Sequence, residues 1–200
     1  MKQRILILTI LLIPFFGISQ KVKLISGNPS ELASETNFDV KVDFTNAKFY
    51  KENMSEADYI NKRIEEIKAD KGAAEAESWQ ADWERHKEDV MYEKFIHAIN
   101  KTGKSGVTFN KDSGAKYTAV IKVDWVFPGW YGGVARQASK LNATISFIET
   151  SSGTEVLSLS CLGALGDIPV VGIPNNNDRI SQAFDKVGVG VGKFMKKKFK

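Results

Sequence analysis

The stretch Lys116–Glu149 decides the fold: it reads KYTAVIKVDWVF over 116–127, PGWYGG over 128–133 and KLNATISFIE over 140–149. Apolar and polar side chains alternate in both runs, and they include many β-branched and aromatic residues. A period of two with this composition is the signal of a strand. The pattern predicts two long antiparallel strands at the centre of a sheet, joined by an aromatic, glycine-rich loop. The apolar face of the first strand would carry Tyr117, Ala119, Ile121, Val123, Trp125 and Phe127, and that of the second Leu141, Ala143, Ile145 and Phe147.

Further strands are predicted on both sides of this pair. Residues 38–44 alternate with Phe38, Val40, Val42 and Phe44 on one side, and a third run follows at 155–162 after a turn at 151–153. That turn has the length of a tight hairpin. Residues 21–36 are mixed in character, and they are interpreted as an edge strand or an ordered arm.

Three helices are predicted. In the first, Ser55 is the N-cap, Asp58 is its partner at the third helical position, and the helix ends near Asp70 with Gly72 as the stop. The second covers residues 73–100, and the third begins near Asn177. Residues 187–191 could instead form a strand, because each glycine inside a helix costs about 1 kcal/mol relative to alanine. If the segment is helical, Gly188 and Gly192 would let it approach the sheet closely.

This order of elements predicts the α+β class, with a largely antiparallel sheet built from one strand and a three-stranded meander. Two helices follow the first strand, one helix closes the chain, and the helices pack on one face. Residues 20–200 are expected to form a single α+β domain, a size that suits one hydrophobic core.

The first 19 residues have the composition of a secretory signal peptide. Lys2 and Arg4 precede an apolar run, and Gly17-Ile18-Ser19 supplies small residues before a cut at Gln20. An uncleaved anchor is the alternative. No later segment is long and apolar enough to span a bilayer as a helix. We therefore expect export to the periplasm, association with the outer membrane, or secretion.

The charge is concentrated at the C-terminus. The chain has 28 basic and 24 acidic residues, and five of the basic residues are Lys193, Lys196, Lys197, Lys198 and Lys200. A basic tail on an otherwise slightly acidic body does not indicate nucleic-acid binding. Together with Phe194 and Phe199, these lysines could make weak contact with an anionic membrane surface. A solvated helix end is the simpler interpretation.

Candidate catalytic and metal-binding residues are few. His86 and His97 share a helix face but lie about 16 Å apart, too far to bind one metal ion. Cys161 is the single cysteine, and its apolar surroundings predict burial. Ser113-Gly114-Ala115-Lys116 matches a Ser-x-x-Lys motif, but no Ser-Asp-Asn element accompanies it. We predict no catalytic residue, metal site or cofactor.

The best candidate for a binding surface is the aromatic loop, with Phe127, Trp130, Tyr131 and Arg136 as its contact residues. Tryptophan and tyrosine concentrate binding energy at interfaces. The same rings could stack on sugars, which leaves a small-ligand or glycan-binding protein as the alternative. Trp130 and Tyr131 could also fold back over the core as a lid.

The chain resembles an uncharacterised family of exported proteins of Bacteroidetes-type bacteria in four segments: residues 17–20, 38–44, 56–60 and 116–129. Its order of elements is loosely similar to envelope lipoprotein domains of the curli-secretion and penicillin-binding-protein-activator type. That resemblance implies an envelope protein as partner, although the lipid-attachment cysteine of those domains is missing here. The resulting hypothesis is a non-enzymatic, exported protein-interaction module whose partner and oligomeric state stay open.

Overall fold

The computed structural model describes residues 20–132, 135–166 and 175–199, and for residues 131–132 and 135–136 it describes only the strand backbone. The predicted signal peptide lies outside the described residues and stays a prediction. The strands are β1 Lys21–Gly27, β2 Asn37–Asp43, β3 Lys48–Phe49, β4 Thr108–Asn110, β5 Tyr117–Phe127, β6 Trp130–Gly132, β7 Ala135–Gln137, β8 Lys140–Glu149 and β9 Glu155–Leu165. The helices are α1 Glu56–Lys71, α2 Ala73–Arg85, α3 Met91–Thr102 and α4 Asn176–Lys198, with a 3₁₀ turn at Pro29–Leu32 and a π-helical turn at His86–Val90.

Seven of these strands form one mixed, mostly antiparallel sheet, which confirms the predicted α+β class. The order is β1-β9-β8-β5-β2-β4, with β3 beside the end of β5. The predicted central pair β5–β8 and the hairpin β8–β9 are antiparallel, and β1 is an edge strand on β9. The pairs β2–β5, β2–β4 and β3–β5 are parallel. A parallel partner needs a long crossover, and here α1, α2 and α3 provide it.

The helices cover one face of the sheet because the strands are apolar on that face. Its central rows are fully or almost fully buried: Ala119, Ile121, Val123, Ala143, Ile145, Phe147, Leu157, Leu159 and Cys161. The opposite face carries a row of polar residues, in which Thr144 lies between Lys122 on β5 and Ser160 on β9. Burial of Cys161 is confirmed, and it raises the pKa of this thiol to about 11.

The first helix begins and ends as its sequence predicts. Ser55 Oγ accepts a hydrogen bond from the Asp58 backbone N–H at 3.1 Å, and the Asp58 carboxylate accepts one from the Ser55 N–H at 3.4 Å. Gly72 ends the helix with a φ of 93°, a conformation that favours glycine. The second predicted helix is interrupted: α2 and α3 are joined through the π-helical turn at His86–Val90.

Residues 187–191 are helical, so the alternative of a strand there was wrong. The predicted role of the glycines needs a correction. A Cβ at Gly188 would lie 2.6 Å from the Phe95 carbonyl oxygen, and one at Gly192 would lie 2.4 Å from Thr102 Oγ1. Both glycines therefore bring α4 close to α3 rather than to the sheet. Gly190 is the glycine that faces β1, where a Cβ would lie 2.8 Å from Val22 Cγ2.

Candidate functional site

The predicted aromatic loop is a short β-hairpin that continues the central strand pair beyond the main sheet. Its strands β6 and β7 pair with each other, with Trp130 opposite Gln137 and Tyr131 opposite Arg136. The Trp130 indole N–H donates a hydrogen bond to Gln137 Oε1 at 3.1 Å. Even so, 46% of the Trp130 surface is exposed. Trp130 is therefore held in place across the hairpin while one part of its ring faces solvent.

The root of this hairpin is tied to the first turn of α4. Gly129 has a φ of 74°, and a Cβ there would lie 2.5 Å from the Gln137 carbonyl oxygen, so the two chains approach closely. The buried Arg179 donates from Nε to the Pro128 carbonyl oxygen at 3.3 Å. Ser139 Oγ donates to the Arg179 carbonyl oxygen at 2.5 Å. Burial lowers the pKa of Arg179. These contacts fix the direction in which the hairpin leaves the sheet.

The alternation predicted for β5 breaks near its end. The pairing with β8 shifts between Val123 and Trp125, and such a bulge moves all later side chains to the other face. As a result Val126 is fully buried, whereas Trp125 and Phe127 are only partly buried and stack on each other with ring centroids 6.3 Å apart. The prediction that Trp125 and Phe127 share the core face of Tyr117 was therefore wrong.

The four predicted contact residues have different positions. Trp130 lies on the surface, and Phe127 packs edge-on against Tyr50 at 6.1 Å. Tyr131 and Arg136 are cross-strand neighbours in the backbone pairing, and their side chains lie outside the described residues. The structure thus places Trp130 and Phe127 on either side of the Pro128-Gly129 turn. Whether these residues bind a partner stays a prediction.

A buried polar network that the sequence did not reveal lies where α2 meets the start of α4. His86 is 1% exposed, with Nδ1 2.7 Å from the Asp82 carbonyl oxygen and Nε2 3.1 Å from Asp178 Oδ1. Asp82 accepts hydrogen bonds from Asn175 at 2.7 Å and Asn177 at 2.9 Å. The sequence places His86 on a helix face, and in the structure that face is buried in the contact between the helices.

The electrostatics of this network favour an ionised Asp82. Burial acts to raise the pKa of its carboxyl, but hydrogen bonds from Arg85, Asn177 and Asn175 outweigh this effect and lower the pKa. The π-helical turn begins at His86, and such turns occur often at functional sites. Within residues 20–132, 135–166 and 175–199, no group of three or more His, Cys, Asp or Glu side chains is placed to hold a metal ion.

Beside the network is a cleft of about 460 Å³, here named the α1–α2 cleft. It is lined by Arg63, Ile67, Lys71, Glu75, Ser78, Trp79, Asp82, Asn175 and Asn176. The Arg63 guanidinium lies 5.9 Å from the centre of the Trp79 ring. Among the described residues, neither Trp79 Nε1 nor Arg63 Nε has a hydrogen-bond partner, although both atoms are buried. Two residues of the cleft wall therefore carry a buried donor without a partner in the described part of the chain, and Asp82 adds a carboxylate to the same wall.

Ser113, the serine of the Ser-x-x-Lys match, supports a turn. Its backbone N–H and its hydroxyl both donate to Asp39 Oδ1 at 2.7 Å, and the Ala115 N–H donates to Oδ2 at 2.9 Å. Burial acts to raise the pKa of Asp39, but these hydrogen bonds outweigh it and lower the pKa. Asp39 thereby closes the connection between β4 and β5.

The C-terminal aromatic residues separate into two environments. Phe199 is 1% exposed and packs on Phe147 with ring centroids 6.1 Å apart. It belongs to the core and is not available to a membrane surface as the sequence suggested. Phe194 is half-buried on the other side of α4. In the part of the chain that the structure describes, no helix has the length and hydropathy needed to cross a bilayer.

Comparison with models of known protein families gives no match, and comparison with curated proteins gives none. Solved structures that resemble the chain include two of PelC. One is a PelC dodecamer from Paraburkholderia phytofirmans, with 14% identity, 87% of this chain and 98% of that chain covered, and a TM-score of 0.40. The other is a point variant of PelC from the same organism, with 13% identity, 84% and 98% covered, and a TM-score of 0.35. At these TM-scores the likeness supports no inference about function.

Proposed function

We propose that the chain is an exported, non-enzymatic protein of the cell envelope that acts as a protein-interaction module through the β6–β7 hairpin. The observation that carries this proposal is the state of Trp130, which is 46% exposed yet bonded to Gln137. A tryptophan that is already fixed loses little conformational freedom when a partner covers it. Side chains of this kind supply most of the binding energy at interfaces.

The anchoring of the hairpin supports the same proposal. Arg179 and Ser139 join its root to α4, so the exposed ring is presented in one direction. Export is proposed from the composition of residues 1–19, and it would place the hairpin in the periplasm, at the outer membrane or outside the cell. The non-enzymatic part is proposed from the sequence, in which no catalytic motif is recognised.

The test is crosslinking in living cells followed by capture and mass spectrometry. Trp130→Ala is compared with wild type, and Leu162→Ala is the matched control because Leu162 is equally exposed, at 46%, but lies on β9. We expect a specific envelope protein to be recovered with wild type and with Leu162→Ala, and to be lost with Trp130→Ala at an unchanged far-UV circular dichroism spectrum. Recovery of the same partner with Trp130→Ala would exclude the hairpin as the contact.

A second function, binding of a small polar ligand such as a glycan, is favoured by the α1–α2 cleft. Its buried Trp79 and Arg63 donors have no partner among the described residues, and such donors commonly bind a ligand or ordered water. Hydroxyl groups of a sugar could accept from these donors and donate to Asp82 or Asn176. The proposal moves the glycan site from the aromatic loop to this cleft.

Glycan-array screening followed by calorimetry tests the second function. Trp79→Phe removes the indole donor and keeps a ring for packing, whereas Trp130→Phe is the matched change on the hairpin. A cleft ligand should lose roughly tenfold in affinity with Trp79→Phe, the effect of one hydrogen bond, and nothing with Trp130→Phe. The opposite pattern would return the glycan site to the aromatic loop.

A further inference from the structure

A groove lies between the edge strand β1 and the C-terminal half of α4. Its volume is about 810 Å³, within the range of about 300–1,000 Å³ that is typical of ligand pockets. It is here named the basic groove and is lined by Gln20, Val22, Lys23, Leu24, Pro29, Ser30, Val189, Gly190, Lys193, Phe194, Lys197 and Lys198. No described residue of the hairpin lines this groove, so the groove is independent of the proposed interaction surface.

The charge of this groove has one sign. Lys23 comes from β1, Lys193, Lys197 and Lys198 come from α4, and no carboxylate is among the lining residues. Within the described part of the chain, none of these four lysines forms an ion pair. Four ammonium groups without counter-charges attract an anion.

The floor and the edge of the groove are apolar. Val22, Leu24, Val189 and Phe194 lie between the lysines. Of the four large hydrophobic side chains that are exposed among the described residues, two, Leu24 and Ile25, lie on the edge strand β1. Exposed apolar groups collected at one place mark an interaction site.

Lysines around an apolar floor match an anionic amphiphile. A nucleic acid would use the charges and leave the floor unused. The chain's own apolar segment, residues 5–16, does not match the groove, because Lys2 and Arg4 beside it carry the same positive charge as the groove. An acidic peptide would match the lysines, but it would not cover Leu24 and Ile25.

We infer that the basic groove docks on a bilayer surface that contains anionic phospholipid. The lysines contact the phosphate groups, and Leu24 with its neighbours enters the interfacial region. Each lysine close to such a surface changes the partition coefficient by roughly fivefold, so the three on α4 account for roughly 100-fold. This contact would hold the protein at a membrane without a spanning helix.

Vesicle sedimentation tests this inference. The protein is purified from its native compartment and its N-terminus is defined by intact-mass spectrometry. Partition is measured at 150 mM NaCl on vesicles of phosphatidylcholine alone and with 30% phosphatidylglycerol. We expect wild type to prefer the anionic vesicles by roughly 100-fold, in line with the lysine contributions.

Three variants distinguish binding through the groove from binding through net charge alone. Lys193/Lys197/Lys198→Gln should lose most of the preference for anionic vesicles. Lys51/Lys68/Lys101→Gln removes the same charge from exposed sites outside the groove, and it should stay within a few-fold of wild type. Leu24→Gln keeps all charges and should weaken binding several-fold.

Three results would overturn the inference. An equal loss of vesicle binding in the two triple-lysine variants would mean that net charge alone causes the binding. An unchanged Leu24→Gln would remove the apolar floor from the contact. Lysine-dependent binding of a poly-glutamate peptide without vesicle binding would assign the groove to an acidic protein segment.

Discussion

The two ends of α4 use polar residues in opposite ways. At the N-terminal end, Asn177 and Arg179 are buried and engage Asp82 and Pro128. At the C-terminal end, Lys193 and Lys197 are exposed and form no ion pair among the described residues. The difference between the two ends shows which polar groups of α4 are available to bind a ligand. Groups that bond to each other in the interior hold the helix in place, whereas groups left in solvent remain free for a ligand.

The largest expected change in the free energy of unfolding comes from a substitution at the C-terminal end of α4. Phe199 is buried against Phe147, and truncation of a buried phenylalanine costs about 3–5 kcal/mol. Phe199→Ala should lower the free energy of unfolding by that amount in urea titrations. Phe194→Ala is the control on the same helix, and its loss should be clearly smaller because Phe194 is half-buried. Equal losses would mean that Phe199 does not anchor the helix.

The next prediction concerns the middle of α4, which joins the two ends. A Cβ at Gly188 would meet the Phe95 carbonyl oxygen at 2.6 Å, whereas one at Gly190 would meet the flexible end of Gln20 at 2.3 Å. Overpacking against backbone costs about 1–3 kcal/mol. Gly188→Ala should therefore be less stable than Gly190→Ala by at least about 1 kcal/mol in urea titrations. A reversed order would contradict the close packing of α4 on α3.

A smaller change in the free energy of unfolding is expected from the polar network at the N-terminal end of α4. Asp82→Asn removes a charge that Arg85, Asn175 and Asn177 bind, with an expected loss of about 1–3 kcal/mol at pH 7. The pKa of Asp82 is lowered in the folded state. Its contribution is therefore full above the unfolded pKa and is lost as the pH falls through the folded pKa.

Urea titrations at pH 7 and pH 3 check this prediction. Wild type and Asp82→Asn should differ most at pH 7 and less at pH 3, since the difference begins to fall near pH 4, where the unfolded carboxyl titrates, and continues to fall through the lower folded pKa. Asp89→Asn is the matched control on an exposed position, and it should change stability by less than about 0.5 kcal/mol. A constant difference across this pH range would exclude the charge of Asp82 as the cause.

The smallest effect is expected from the lysines. Cations in the last turn of a helix stabilise it by about 0.3–1 kcal/mol, but Lys193 and Lys197 are one turn apart and repel each other by about 0.2–0.5 kcal/mol. Lys193/Lys197→Gln should therefore alter the free energy of unfolding by less than about 0.5 kcal/mol. A loss above 1 kcal/mol in urea titrations would mean that these lysines serve the fold.

Local patterns in the sequence predicted the strands and the first helix well. The alternation at 140–149 and the Ser55–Asp58 pair are signals carried by neighbouring residues, and both elements form as expected. The bulge near Asp124 has no such signal, because the sequence around it alternates without a break. For this reason Trp125 and Phe127 were assigned to the wrong face.

The polar network escaped prediction for another reason. His86 and Asp178 form a hydrogen bond, but His86 lies in the π-helical turn between α2 and α3 and Asp178 lies on α4. Nothing in the sequence of either segment indicates contact with the other. The parallel pairing of β2 with β5 and β4 likewise joins segments that are distant in the sequence. For the candidate site, the sequence indicated the aromatic loop and the basic tail. It did not reveal that β1 completes a groove with that tail, since Lys23 and Lys193 meet only in the folded chain.

The position of β1 at the sheet edge has a consequence for the order in which the chain can assemble. Val22 lies opposite Cys161, so the first strand to be synthesised pairs with a strand made near the end. Until β9 is complete, Leu24 and Ile25 have no sheet to join, and an unpaired apolar strand is prone to aggregation. β1 therefore stays unpaired for most of the time in which the chain is synthesised, and Lys21 and Lys23 are the charges within it that oppose aggregation.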